Sequence, residues 1–475
     1  MQNLPYELLE IILNYTHRMH HLDIMMTTKI FYFFRYLLRY TIIDKEQTVY
    51  AQFEQQPDHC FIGLNLIFPE QNPGLPNQSR IMCHTLPRSL VRLSLTVNEV
   101  NYDFRQLPRL KVTKFVSNCL SSDKFNKLDE LHVISPSITH INVPKITHII
   151  VRKLTVDNTI QLPKNLKILR YQYVAISPLI LPEGLIYLET YGYRDDKKNI
   201  LPPLPSTLET LVLKTHISNL QILPSSLKKL SLEEWLYDNY DFLYHSNVTV
   251  LRCDTITDHH KLPIFEKCIY VTTLILNNYA PNIIKMMISF PPFLRKFSIF
   301  GNYEIDLQPL PISVISLRLF MIKNETLNIP NTLQYLDFIH CGVKSTNCFQ
   351  NTLKSLLILS DESSIYQLPI SLIKLSITYD PKLNLDTLIN LRYLFIERLL
   401  TCRYNFKELK ELRCLKIKGK SDEPCIIEFP PQIVYFNINR KMIWYDVPKS
   451  LQYVSIPMDC DLPPKRPKYL IIQKN

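Results

Sequence analysis

LPSTLETLVL, residues 204–213, and LPSSLKKLSL, residues 223–232, share one frame: aliphatic, proline, two variable residues, leucine, two variable residues, leucine, one variable residue, leucine. The closing L-x-L alternates with period two, as in a strand with both leucines on one face, and the leucine three residues earlier turns into the same interior. The frame recurs as LPRSLVRLSL from Leu86, LPKNLKILRY from Leu162, LPEGLIYLET from Leu181 and FPPFLRKFSI from Phe290. It continues as LPISVISLRL from Leu310, IPNTLQYLDF from Ile329, LPISLIKLSI from Leu368, FPPQIVYFNI from Phe429 and VPKSLQYVSI from Val447. Pro163 and Pro182 stand 19 residues apart, as do Pro205 and Pro224, and Pro311 and Pro330. From Pro87 to Pro463 this amounts to about twenty units of about twenty residues each.

One such unit cannot bury its leucines alone. Stacked at roughly 4.8 Å per strand, neighbouring units form a continuous parallel sheet over a shared aliphatic core. The remaining dozen or so residues of a unit are too few for a long helix, and the recurrent proline fixes φ near −65°, which favours extended, polyproline-like or turn backbone. The expected architecture is a narrow solenoid with a parallel β-sheet on its concave side and an irregular, turn-rich, polyproline-like convex side. It occupies residues 81–475, after a linker or capping segment at 46–80.

LVRLSLTVNEV, from Leu90, fits the LxxLxLxxNxL pattern including Asn98, and the array resembles the leucine-rich-repeat family. Most units depart from it where the inward asparagine would stand: that place holds Cys341, Asp361, Asp380, Val174 or Ile256. Proline-led short units of this kind are similar to the FNIP repeats of amoebae and giant DNA viruses. LPPLPSTLETL, from Leu201, also resembles the repeats of secreted bacterial effectors.

Residues 1–45 leave the frame. Leu4-Pro5 followed by Glu7, Leu8, Leu9, Ile11, Ile12 and Leu13 gives a helical apolar face with proline near its start. Two further short apolar-periodic stretches begin at Leu22 and Ile30. MQNLPYELLEIILNY with LDIMMTTKIFYFF resembles the F-box, an all-α domain whose pattern is LPxELLxxIL, a spacer, and an apolar stretch closed by a basic residue and an aromatic. The second half departs from it, with Thr28 and Phe31 or Phe33 at the usual cysteine and tryptophan. The resemblance implies docking on the Skp-type linker subunit of a cullin ubiquitin ligase through Leu4, Pro5, Leu8, Ile12, Leu13, Met25 and Phe31. It further implies a non-catalytic, substrate-recognising role in an SCF-type complex. A helical cap shielding the first repeat is the other reading of this segment, and a non-ligase scaffold that sequesters a partner is the matching alternative for the whole chain.

Composition narrows the remaining classes. The seven glycines are too dispersed for a phosphate-cradling loop, which argues against nucleotide-binding turns, and no GxSxG elbow supports a hydrolase. Eleven cysteines without a CxxC pair read as reduced, buried thiols, and no cofactor is expected. Asp258-His259-His260 is the best metal-like cluster, but adjacent histidines diverge on a strand, so no metal site is expected. His20-His21 reads as solvated. Neither a secretory leader nor a membrane span is evident, so a cytoplasmic or nuclear protein is expected, in the host cell cytoplasm if the source is viral. The formal charge of +11 is interspersed, and no nucleic-acid or membrane partner is expected. The repeats run almost to Asn475, and the catalytic cysteine domain of the effector ligases is not expected.

In register, one outward column reads Tyr335, Tyr393, Tyr435 and Tyr453, and its neighbour reads Arg318, Asp337, Phe395, Lys416 and Asn437. Tyrosine and arginine are frequent binding hot spots, which makes Tyr335, Tyr393, Phe395 and Tyr435 the candidate contacts for an unknown protein partner.

Overall fold

A computed structural model describes most of residues 162–474, apart from short stretches between strands, together with six earlier strands. Residues 1–42, which carry the F-box-like sequence and its all-α expectation, lie outside the described residues, as do Asp361, Asp380, Ile256 and Asp258-His259-His260. The chain divides into two compact units, 1–227 and 228–475.

In the first unit, Ile43–Lys45, Gly63–Ile67, Arg92–Thr96, Val112–Val116 and Glu130–Val133 pair in that order as parallel strands. Ile43–Lys45 is at one edge of this five-stranded sheet. Gly63–Ile67 belongs to the stretch read as linker or cap. His148–Thr155, Ile168–Val174, Tyr187–Tyr191 and Thr210–Leu213 also pair in parallel and in sequence order.

The second unit repeats this arrangement from Lys229–Leu232 to Ile471–Lys474, each main strand pairing in parallel with the next. Its register lines the frame's leucines into columns. Leu230, Leu251, Leu274, Phe297, Leu317, Leu336, Leu356, Leu375, Leu394, Leu415, Phe436 and Val454 are each at most 1% exposed. The column two residues on, running from Leu232 and Cys253 to Ile456, is buried beside it. The first frame leucine supplies a third buried column through Leu294, Val314, Leu333, Leu372 and Leu412. Three adjoining apolar columns make a core one repeat thick that extends by addition of like units.

The proline has a specific place in this geometry. Its carbonyl accepts the N–H of the leucine three residues later, Pro182 from Leu185 at 3.1 Å, Pro311 from Val314 at 3.0 Å and Pro448 from Leu451 at 3.1 Å, closing a β-turn just before each strand. The residue before that leucine is often Ser or Thr, and its hydroxyl donates to the carbonyl of the first frame leucine, or the valine in its place, one unit earlier. Ser226 reaches Leu208 at 2.7 Å, Ser313 reaches Leu294 at 2.7 Å, Thr332 reaches Val314 at 3.0 Å, Thr352 reaches Leu333 at 3.0 Å and Ser371 reaches Leu353 at 2.7 Å. Such a ladder satisfies turn carbonyls that strand pairing leaves open. At one position where the inward asparagine is missing, the Cys341 thiol donates to the Leu319 carbonyl at 3.4 Å.

The return stretches, expected to be irregular, also contain short parallel pairings. Ile284–Met287 pairs with Tyr303–Asp306, Thr326–Leu327 with Ser345–Thr346, and Arg403–Asn405 with Cys425–Glu428, which pairs in turn with Met442–Ile443. Thr326 and Ser345 stand at the same offset from their main strands, 316 to 326 and 335 to 345, so their backbones meet in register even where the side chains differ. Helix is confined, among the described residues, to Asp241–Tyr244 and a 3₁₀ turn at Phe265–Lys267.

Candidate functional site

Because strand side chains alternate between faces, every residue between two core leucines lies on the outer face of the sheet. Parallel pairing without slippage then converts the sequence into straight columns. In the second unit one column runs Ser316, Tyr335, Ser355, Lys374, Tyr393, Cys414, Tyr435 and Tyr453, and its neighbour runs Arg318, Asp337, Leu357, Ser376, Phe395, Lys416, Asn437 and Ser455. The four candidate contacts therefore share one face. Tyr335 is 49% exposed and Tyr393 50% exposed, while Phe395 and Tyr435 are partly covered. They form no single cluster: two strands, through Ser355 and Lys374, separate Tyr335 from Tyr393, and Cys414 separates Tyr393 from Tyr435.

The carboxyl-terminal end of the face is the more organised. Tyr435 stacks on Tyr453 with ring centroids 4.9 Å apart and planes 5° from parallel. The Lys416 ammonium lies 5.4 Å from the Tyr435 ring centroid and that of Lys418 lies 5.4 Å from the Phe395 ring, both within cation-π range. The Tyr453 hydroxyl donates to Gln473, and the Asn437 amide donates to the Tyr435 hydroxyl at 3.4 Å. Arg318 and Asp337 pair across adjacent strands at 2.8 Å. Arg252 pairs with the buried Asp254 at 3.0 Å on the same face, and Asn277 donates to that carboxylate from the next strand.

In the first unit, a polar cluster gathers on Arg170, Tyr187, Glu189 and Lys214. Glu189 is 6% exposed, pairs with Arg170 at 3.1 Å and Lys214 at 3.1 Å, and accepts a hydrogen bond from the Tyr187 hydroxyl at 2.6 Å. Burial, then the Glu189 carboxylate, push the Tyr187 phenol up to about 12. Sequence spacing did not single this cluster out, since its members occupy variable positions of three different units.

Among the described residues, the cysteines carry no reactive signature. Burial pushes the Cys253 thiol well above its ordinary value and the Cys268 thiol up to about 12, where the nucleophilic thiolate is scarce. Among the described residues, no group of three or more His, Cys, Asp and Glu side chains is placed to hold a metal ion, and no helix is long and apolar enough to cross a membrane. Leu4, Pro5, Leu8, Ile12, Leu13, Met25 and Phe31 lie outside the described residues.

No family model and no curated protein matches the chain. Solved structures do. TLR13, in a crystal structure of its complex with ssRNA13, superposes with a TM-score of 0.55 at 15% identity over 88% of this chain and 68% of that one. CroV588, described as a circular leucine-rich-repeat protein, gives 0.45 at 15% identity, covering 88% and 75%. YopM from Yersinia enterocolitica WA-314 gives 0.26 at 18% identity, covering 90% and 74%. At these identities the likeness concerns the fold alone. With the buried leucine columns, the parallel register and the short repeating unit, the chain has a leucine-rich-repeat-type solenoid fold.

Proposed function

We propose that the protein is the substrate-recognition subunit of an SCF-type cullin ubiquitin ligase, with the F-box-like segment docking on the Skp-type linker and the repeats holding a protein target. The observation that carries the binding half is the sheet face of the second unit, whose outward columns place exposed tyrosines and basic residues in register over a rigid apolar core. The ligase half rests on LPYELLEIIL at Leu4 to Leu13. In this reading the chain is a non-catalytic adaptor with FNIP-like repeats, cytoplasmic or nuclear and in the host cell cytoplasm if the source is viral, and other subunits transfer the ubiquitin. It needs no cofactor. Leu4, Pro5, Leu8, Ile12, Leu13, Met25 and Phe31 contact the linker, and Tyr335, Tyr393, Phe395 and Tyr435 contact the target.

Capture of a Skp-type linker by the full chain tests this reading. Leu8→Asp with Ile12→Asp is expected to abolish capture, because burying an unpaired carboxylate costs several kcal/mol, and to leave the repeats folded. Failure of the wild-type chain to recover linker or cullin, where a known F-box protein does, would remove the ligase assignment. The alternative, a non-ligase scaffold with the amino-terminal segment as a cap, draws on Ile43–Lys45: that strand, the last three residues of the segment, forms the edge of the sheet.

A further inference from the structure

From the turn preceding Lys229 to that preceding Tyr453, the outward residue just before each strand and the first outward residue within it form two adjoining columns on the second unit. They contain Lys228, Lys229, Arg295, Lys296, Lys354, Lys374, Arg392 and Arg413 and no acidic residue. Among the described residues, the acidic side chains of this face, Asp254, Asp337 and Glu397, lie deeper along the strands, the first two paired with Arg252 and Arg318. Four of the basic residues fall on four consecutive strands: Lys354, Lys374, Arg392 and Arg413 precede or open Ser355–Leu359, Lys374–Ile377, Tyr393–Leu399 and Cys414–Gly419. All four are exposed. At about 4.8 Å per strand they span about 14 Å, the length of roughly four extended residues. Glu397 and Glu411 stand near them in sequence but outside the two columns.

We infer that this four-strand basic stripe, with Tyr393 within it and Lys416 beside it, binds an extended acidic segment, rich in Asp and Glu, of the protein partner. The inference rests on reading the sheet face as a protein-binding surface and adds the chemistry of what is bound. Like charges held in register concentrate potential and select an anionic partner. The aromatic side chains then discriminate between anions. A single-stranded nucleic acid would use a run of free ring faces for base stacking, whereas here Tyr435 and Tyr453 stack on each other, Lys416 lies over Tyr435, and Lys418 lies over Phe395, which leaves Tyr393 as a single exposed ring within the stripe. What the face offers is ammonium and guanidinium groups and phenol hydroxyls, donors suited to carboxylates.

Fluorescence anisotropy of labelled polyglutamate and labelled oligouridylate with the full-length chain tests this. Wild type is expected to bind polyglutamate more tightly than oligouridylate, with affinity falling as salt rises. K354E/K374E/R392E/R413E is expected to weaken polyglutamate by at least about tenfold, while K228E/K229E/R295E/K296E, with the same change in charge, has a much smaller effect. Tighter binding of oligouridylate, equal loss in both quadruple variants, or no binding of polyglutamate would each overturn the inference. If the first quadruple variant melts below wild type, R392Q/R413Q replaces it, with a loss of several-fold expected and an unchanged affinity counting against the stripe. Linker capture is expected to be intact in all of these variants. Loss of polyglutamate binding with capture retained removes only this inference, and absent capture with polyglutamate binding retained removes only the ligase reading.

Discussion

Glu189 is the residue that most constrains its surroundings. A carboxylate at 6% exposure is tolerable only when its oxygens are met, and here Arg170, Lys214 and the Tyr187 hydroxyl meet them. The phenol bears the consequence. Its proton is held by burial and by the neighbouring negative charge, so its folded value of about 12 exceeds the roughly 10 of an unfolded tyrosine. As pH rises the unfolded chain therefore loses this proton first, and stability is full below about pH 10 and declines from there toward about 12. Glu189→Gln keeps the hydrogen-bond geometry but removes the charge. It is expected to lower the Tyr187 midpoint without returning it to the unfolded value, because burial, the larger cause, remains. Phenolate absorbance over a pH series, with Y187F as the reference, reads this out, and an unmoved midpoint would leave burial as the sole cause.

At the scale of the element, each unit is fastened to the previous one by more than its leucines. The hydroxyl ladder through Ser313, Thr332, Thr352 and Ser371 joins consecutive turns on the outer side of the strand ladder. Ser371→Ala leaves the Leu353 carbonyl without that donor and is expected to cost about 1 kcal/mol in urea or thermal unfolding, with Ser371→Thr close to wild type. An unchanged midpoint in Ser371→Ala would mean that water serves the carbonyl equally well. The leucine columns were legible beforehand because L-x-x-L-x-L assigns each leucine its face by period alone. Tyr335, Tyr393, Tyr435 and Tyr453 followed into one column, since the same period assigns the residues between. The hydroxyl ladder and the basic stripe escaped because they occupy positions that the frame leaves variable, where only alignment of one unit against the next reveals a shared residue type. The two-residue pairing of Thr326–Leu327 with Ser345–Thr346 has no side-chain pattern to announce it, since an equal offset from the preceding main strand, 316 to 326 and 335 to 345, alone creates it.

For the whole molecule, the deciding question is whether the amino-terminal segment is a docking module or a cap, and the position of the cut determines whether a truncation can answer it. In a solenoid each unit rests on its neighbours, and an exposed terminal unit loses the stabilisation that a cap supplies. Removing residues 1–45 would also delete the edge strand Ile43–Lys45 and leave Gly63–Ile67 as a raw edge, which invites pairing with other chains under either reading. A cut after residue 40 keeps that strand and separates the two. If the segment is a module that binds the linker, the shortened chain is expected to lose linker capture, to remain monodisperse, and to melt with the full chain while still binding its protein target. If the segment is a cap, the shortened chain instead aggregates or melts early. The buried columns of the second unit are built from its own strands, so polyglutamate binding through Lys354, Lys374, Arg392 and Arg413 serves as an internal check that this part of the array is intact. Early melting with that binding preserved would locate the damage in the first unit and decide for the cap.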